Sequence, residues 1–141
     1  MEPTESPRKH VLTLLIPIRW GDMDAYGHVN NTLYFRYMEQ VRIEYLESIG
    51  YSVPSERASP VIINAACTFL IPLTYPGMVE IRMFFGAPGR SSIPSSYEIR
   101  LQGDDTLYAT GDAKIVWMEA ASGKSVPIPE NFRALLSAIG S

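Results

Sequence analysis

Between Val11 and Arg19 the apolar residues Leu12, Leu14, Ile16 and Ile18 alternate with Thr13 and Pro17, the two-residue period of a half-buried strand. From Thr32 to Ile49 the period changes. Leu33, Phe35, Met38, Val41, Tyr45, Leu46 and Ile49 recur at three- and four-residue steps, with Glu39, Gln40, Arg42, Glu44 and Glu47 between them. That spacing predicts one long amphipathic helix, ended by Gly50. Strand-like stretches then follow at roughly Ser59 to Leu70, Gly77 to Gly86, Ser91 to Gln102 and Thr106 to Met118. Turn-forming residues separate them: Thr74-Tyr75-Pro76-Gly77, Ala87-Pro88-Gly89 and Gly103-Asp104-Asp105. Consecutive strands with short turns predict an antiparallel meander. Phe132, Leu135, Leu136 and Ile139 at helical spacing after Pro127 and Pro129 predict a short helix from Pro129 to Ile139.

One strand, one long helix, four strands and a short helix make an α+β arrangement, an antiparallel sheet of about five strands wrapped around a largely buried helix. Tyr34, Tyr37 and Ile43 broaden the helix's apolar stripe and agree with its burial. At 141 residues the chain reads as a single domain over 11–141, preceded by a flexible polar segment, 1–10, that contains Pro3 and Pro7. An open sheet has free edges, and pairing edges between subunits removes them, so at least a dimer is expected.

Charge and composition narrow the function. A formal net charge of −3 argues against nucleic acid as the partner. No apolar run reaches the length of a membrane span or has the form of a signal peptide, so no membrane partner is expected. Cys67 is the single cysteine, which excludes an intramolecular disulfide and suits a reducing compartment, so cytoplasm is the expected location. Its apolar surroundings, Ala65 to Leu70, read it as a small core residue. With His10 and His28 as the only histidines, no metal-ligand spacing recurs, and no glycine-rich phosphate loop is present.

Chemistry concentrates in Asp22-Met-Asp-Ala-Tyr-Gly-His-Val-Asn-Asn31, directly ahead of the long helix. Unpaired N–H groups at a helix start can polarise a carbonyl, and a carboxylate beside them can act as base or nucleophile. Asp22 reads more simply as a turn or capping acid, and Asn30 and Asn31 as capping side chains. His28 either orders the loop through the backbone or takes part in proton transfer. Gly89-Arg90-Ser91-Ser92 is a turn that is either solvated or suited to a phosphate, since arginine offers a rigid fork of donors.

The string from Asp22 to Asn31, followed by Leu33-Tyr34-Phe35 and Met38-Glu39, resembles the signature of hotdog-fold thioesterases of the 4-hydroxybenzoyl-CoA thioesterase type. The His-Val-Asn-Asn portion is also similar to plant-type acyl-ACP thioesterases. The element order matches a hotdog fold from about Leu12 to Met118. The resemblance implies that Asp24, second acid of the Asp-x-Asp pair, is the catalytic carboxylate. It further implies that Gly27 admits the thioester to the backbone, that the Asn31 N–H polarises the carbonyl, and that Arg90, Ser91 and Ser92 contact CoA. The chain departs from that branch in carrying His28 where an apolar residue is usual, and Pro88 and Pro94 around the CoA-contact turn.

The expected function is therefore an acyl-CoA thioesterase that releases a free carboxylic acid and CoA, needs no cofactor beyond the CoA of its substrate, and assembles as a homodimer or homotetramer. An acyl-ACP thioesterase and a non-catalytic module that binds acyl thioesters are the alternatives. The acyl group stays open, because Tyr34, Tyr37 and Tyr45 suit either an aromatic or medium-chain pocket or plain packing against the sheet.

Overall fold

The computed structural model describes residues 8–51 and 58–139. Among them, five strands form one antiparallel sheet: β1 (Lys9–Pro17), β2 (Ala58–Phe69), β3 (Met78–Phe85), β4 (Ser92–Leu101) and β5 (Ala109–Glu119). Helix α1 (Asn31–Ser48) separates β1 from β2 in the chain, and α2 (Glu130–Ala138) follows β5. Of the expected N-terminal segment, residues 1–7 lie outside the described residues, and Lys9 and His10 already belong to β1.

The strands lie side by side in the order β1-β3-β4-β5-β2, which corrects the expected meander. Only β3, β4 and β5 follow one another; β2 pairs with β5, with Ile62 opposite Ile115 and Phe69 opposite Ala109. The physical reason is the helix between them. At 18 residues and about 1.5 Å per residue, α1 is roughly 27 Å long, enough to carry the chain across the sheet face from β1 and leave β2 at the far edge. The segment 70–77 then returns the chain to β3, beside β1.

Alternate residues of the strands point at the helix and form the core. Val79, Ile81 and Met83 of β3, Ile93, Tyr97 and Ile99 of β4 and Ala109 and Trp117 of β5 are buried with Tyr34, Tyr37, Met38 and Val41 of α1. The sheet thus wraps α1 in the hotdog arrangement. Gly111 lies beneath Met38, and a Cβ there would run into the Met38 sulfur. Ile43 is 44% exposed, so it does not extend the buried stripe: only one face of a helix can meet a sheet, and apolar residues on its flank stay outside. At the far end of the sheet α2 sets Phe132 against Trp117, ring centres 4.7 Å apart.

Both ends of α1 are closed locally. The Asn30 side chain accepts the Thr32 N–H at 2.9 Å, one of the donors that a helix start leaves unpaired. Gly50 takes a φ of +89°, which ends the helix at no steric cost. Among the described residues no helix is long and apolar enough to cross a membrane.

Candidate active site

The chain between β1 and α1 folds into a small hairpin that ends at the helix. A single 3₁₀ turn, Trp20–Asp22, opens it. Residues 22–24 then run antiparallel to 28–30: the Asn30 N–H donates to the Asp22 carbonyl at 2.9 Å, the Asp24 N–H donates to the His28 carbonyl at 2.8 Å, and Met23 bridges Val29. The tip closes because the Gly27 N–H reaches the Asp24 carbonyl at 3.0 Å and Gly27 takes a φ of +79°, a conformation that suits glycine.

Asp24 is half-buried at the base of this tip. Its Oδ1 accepts the Tyr26 N–H at 2.9 Å and lies 3.5 Å from the His28 N–H. This fixes the carboxylate while its second oxygen makes no bond among the described residues. Asn30 caps α1, leaving Asn31 as the first helical residue. The Thr32 and Leu33 N–H groups are taken by the side chain and the carbonyl of Asn30. The Asn31 N–H therefore stays unpaired among the described residues, a donor at the positive end of the helix.

Asp24, His28 and Asn31 line one cavity of about 520 Å³. Its other wall is Tyr34 and the run Phe69-Leu70-Ile71-Pro72, where β2 ends and the return toward β3 begins. The Tyr34 ring meets Phe69 edge-on with centres 4.8 Å apart, and burial pushes its hydroxyl above the usual tyrosine range. The cavity is thus polar and hydrogen-bonding on the loop side and apolar on the opposite side.

Asp22 sits beside this cavity rather than in it. It is 6% exposed, accepts the Arg19 N–H at 2.8 Å and pairs with the Arg19 guanidinium at 3.1 Å. Gly27 stands at the exposed tip, off the cavity wall.

Arg90, Ser91 and Ser92 lie elsewhere. Phe69, Ala109 and Ile99 occupy one row across the sheet, whereas Ser92 is opposite Val116. From Ile99 to Ser92 along β4 is roughly 23 Å at about 3.3 Å per residue. The turn is packed against the other end of the molecule, where the Arg90 carbonyl accepts the Ile128 N–H at 2.9 Å and the Arg133 side chain donates to the Gly89 carbonyl at 2.8 Å.

Sequence reasoning identified the loop side of the cavity and missed the Phe69–Pro72 wall. The run Phe69-Leu70-Ile71-Pro72 breaks the strand alternation with four apolar residues in succession, but that pattern does not say that it faces the loop, which follows from the place of β2 in the sheet. No group of three or more His, Cys, Asp or Glu side chains among the described residues could hold a metal ion.

Comparison with known proteins places this geometry in context. A family model described as the thioesterase-like superfamily matches residues 18–136. The fold superposes on the PA2801 protein of Pseudomonas aeruginosa, provisionally named a thioesterase, with a TM-score of 0.86 and 36% identity, covering 91% of this chain and 99% of that one. For the gentisyl-coenzyme A thioesterase BH1999 the TM-score is 0.76 and the identity 25%, covering 86% of this chain and 99% of that one. A relative in Aquifex aeolicus (strain VF5), provisionally named an esterase, is 29% identical over 84% of this chain and 92% of its own length.

Proposed function

This chain belongs to the thioesterase-like superfamily, and from that premise we propose that it hydrolyses an acyl-CoA thioester to a free carboxylic acid and CoA. One observation carries the reading: Asp24, whose carboxylate keeps one oxygen without a bond, and Asn31, whose N–H is unpaired, both among the described residues, line the same cavity. A passive binder gains nothing from a carboxylate beside a carbonyl-polarising donor. A thioester is already activated toward acyl transfer, so these two groups suffice without a serine triad.

In the general-base route Asp24 takes a proton from water as the water oxygen adds to the carbonyl carbon. The electron pair moves onto the carbonyl oxygen, which the Asn31 N–H stabilises, and returns as the C–S bond breaks and the thiolate departs. In the nucleophilic route a carboxylate oxygen of Asp24 attacks, CoA leaves as the thiolate, and water then hydrolyses the acyl-aspartyl anhydride. His28, in the cavity wall, can protonate the departing thiolate in either route. Neither route draws on a resident cofactor.

The CoA carrier is supported by the likeness to the gentisyl-coenzyme A thioesterase, and the apolar wall of Tyr34 and Phe69 to Pro72 receives the acyl group. Given their separation from the cavity, Arg90, Ser91 and Ser92 serve the CoA phosphates of a neighbouring protomer, in a homodimer or homotetramer. Thiol release measured over short, medium, long and aromatic acyl-CoAs, with matched acyl-ACP substrates, tests both activity and carrier. Turnover lost in a folded Asp24→Ala variant is the expected result. Stoichiometric acyl-CoA binding without thiol release would replace this reading with a non-catalytic one.

A further inference from the structure

Asp22 is an acid buried to 6% exposure whose charged partner, Arg19, leaves its own side chain 80% exposed. Burying a carboxylate is costly unless it is paired and hydrogen-bonded, and here both kinds of bond run to Arg19, its backbone included. One oxygen accepts the Arg19 N–H at 2.8 Å and the other faces the Arg19 side chain, with Nε at 3.2 Å, so the side chain closes the 3₁₀ turn upon itself. That fixes the Asp22 carbonyl, which takes the Asn30 N–H at 2.9 Å. Asn30 is the cap of α1 and the residue before Asn31; Asp24 is two residues beyond Asp22 on the same strand of the hairpin, across from the strand that carries Asn30.

We propose that Asp22 is a positioning residue, which, through the turn it closes on Arg19 and the rung its carbonyl makes with Asn30, sets the Asn31 N–H against the Asp24 carboxylate. It touches no reacting atom. What it supplies is register: the rung at Asp22 and Asn30 is the last before the helix begins, so a shift there moves the polarising donor relative to the base. A displacement of about 1 Å at such a pair costs on the order of 100-fold in rate. The role depends on the reach of the side chain and not on its charge. The inference rests on the hydrolytic reading above.

Two substitutions separate reach from charge. Asp22→Asn keeps an oxygen acceptor for the Arg19 N–H and removes the charge; Asp22→Glu keeps the charge and adds a methylene that the three-residue turn cannot accommodate. The expected result is that the asparagine variant holds kcat within about threefold and an unchanged pH profile, while the glutamate variant loses on the order of 10- to 100-fold in kcat with KM nearly constant. In parallel, the amide resonance of Asn31 in an NMR spectrum shifts in the glutamate variant and stays in place in the asparagine variant. Equal kcat in both variants, or a slow asparagine variant with an altered pH profile, would overturn the proposal. If the wild-type protein releases no thiol from any acyl-CoA, the functional reading falls, and the Asn31 resonance still decides whether Asp22 sets the helix start.

Discussion

The Tyr34 hydroxyl accepts the Leu73 N–H at 3.2 Å, inside the protein, and so ties the first turn of α1 to the segment that carries the chain from β2 to β3. Leu73 is fully buried, and its carbonyl in turn accepts the Val29 N–H at 2.8 Å. One bridge therefore holds both the apolar wall and the base of the reactive loop. Tyr34→Phe leaves the Leu73 N–H buried without an acceptor, a loss of about 1–3 kcal/mol. The expected outcome is a lower Tm together with a raised KM, and a thermal melt that superposes on the wild type would contradict it.

Asn30→Ala removes the acceptor of both the Thr32 N–H, at 2.9 Å, and the Thr32 hydroxyl, at 2.8 Å. Loss of a helix cap costs about 1 kcal/mol. Urea unfolding should show the midpoint fall with the slope unchanged. An unchanged midpoint would mean that this end of α1 is held by other contacts.

Gly111→Ala places a Cβ against the Met38 sulfur, 3.2 Å from Met38 Cε and 3.3 Å from the Ala66 carbonyl. Met38 is 1% exposed and has little room to withdraw, so a loss of about 1–3 kcal/mol is expected. Met38→Ala in the same chain makes space for the new methyl, and the pair should be less destabilised than the sum of the single variants. Strict additivity, measured in a double-mutant cycle, would remove the contact as the cause.

Burial pushes the Cys67 thiol up to about 11. Since the thiolate is the reactive form, alkylation by iodoacetamide should be slow at neutral pH. It should gain about tenfold per pH unit through the range below about 11 and level off there. A rate that levels off near the ordinary thiol value of 9.0 would show that the thiol is not held protonated.

The elements and the loop side of the site were legible because they are local. The alternation from Leu12 to Ile18 and the three- and four-residue steps from Leu33 to Ile49 report on neighbours a few positions apart, and Asp24, His28 and Asn31 all fall within one hairpin and its helix start. The apolar wall was not legible. Phe69 to Pro72 reach the cavity only because β2 lies at the opposite edge of the sheet from β1, and no local pattern states which edge a strand takes. The same limit applies to Ile43, whose spacing fits the stripe but whose side of the helix depends on where the sheet lies. It applies as well to Arg90, whose distance from the cavity follows from the direction of β4.

The return from β2 to β3 over residues 70–77 spans three strand intervals, roughly 14 Å at about 4.8 Å each. Eight residues can extend to about 27 Å, so the connection carries slack, and it spends that slack dipping past the start of α1. Chain length inserted there would change the volume of the cavity while every strand pairing and the whole hairpin before α1 stayed as they are. The shape of the cavity in this scaffold can therefore diverge through one loop's length, independently of Asp24, His28 and Asn31 on its other wall.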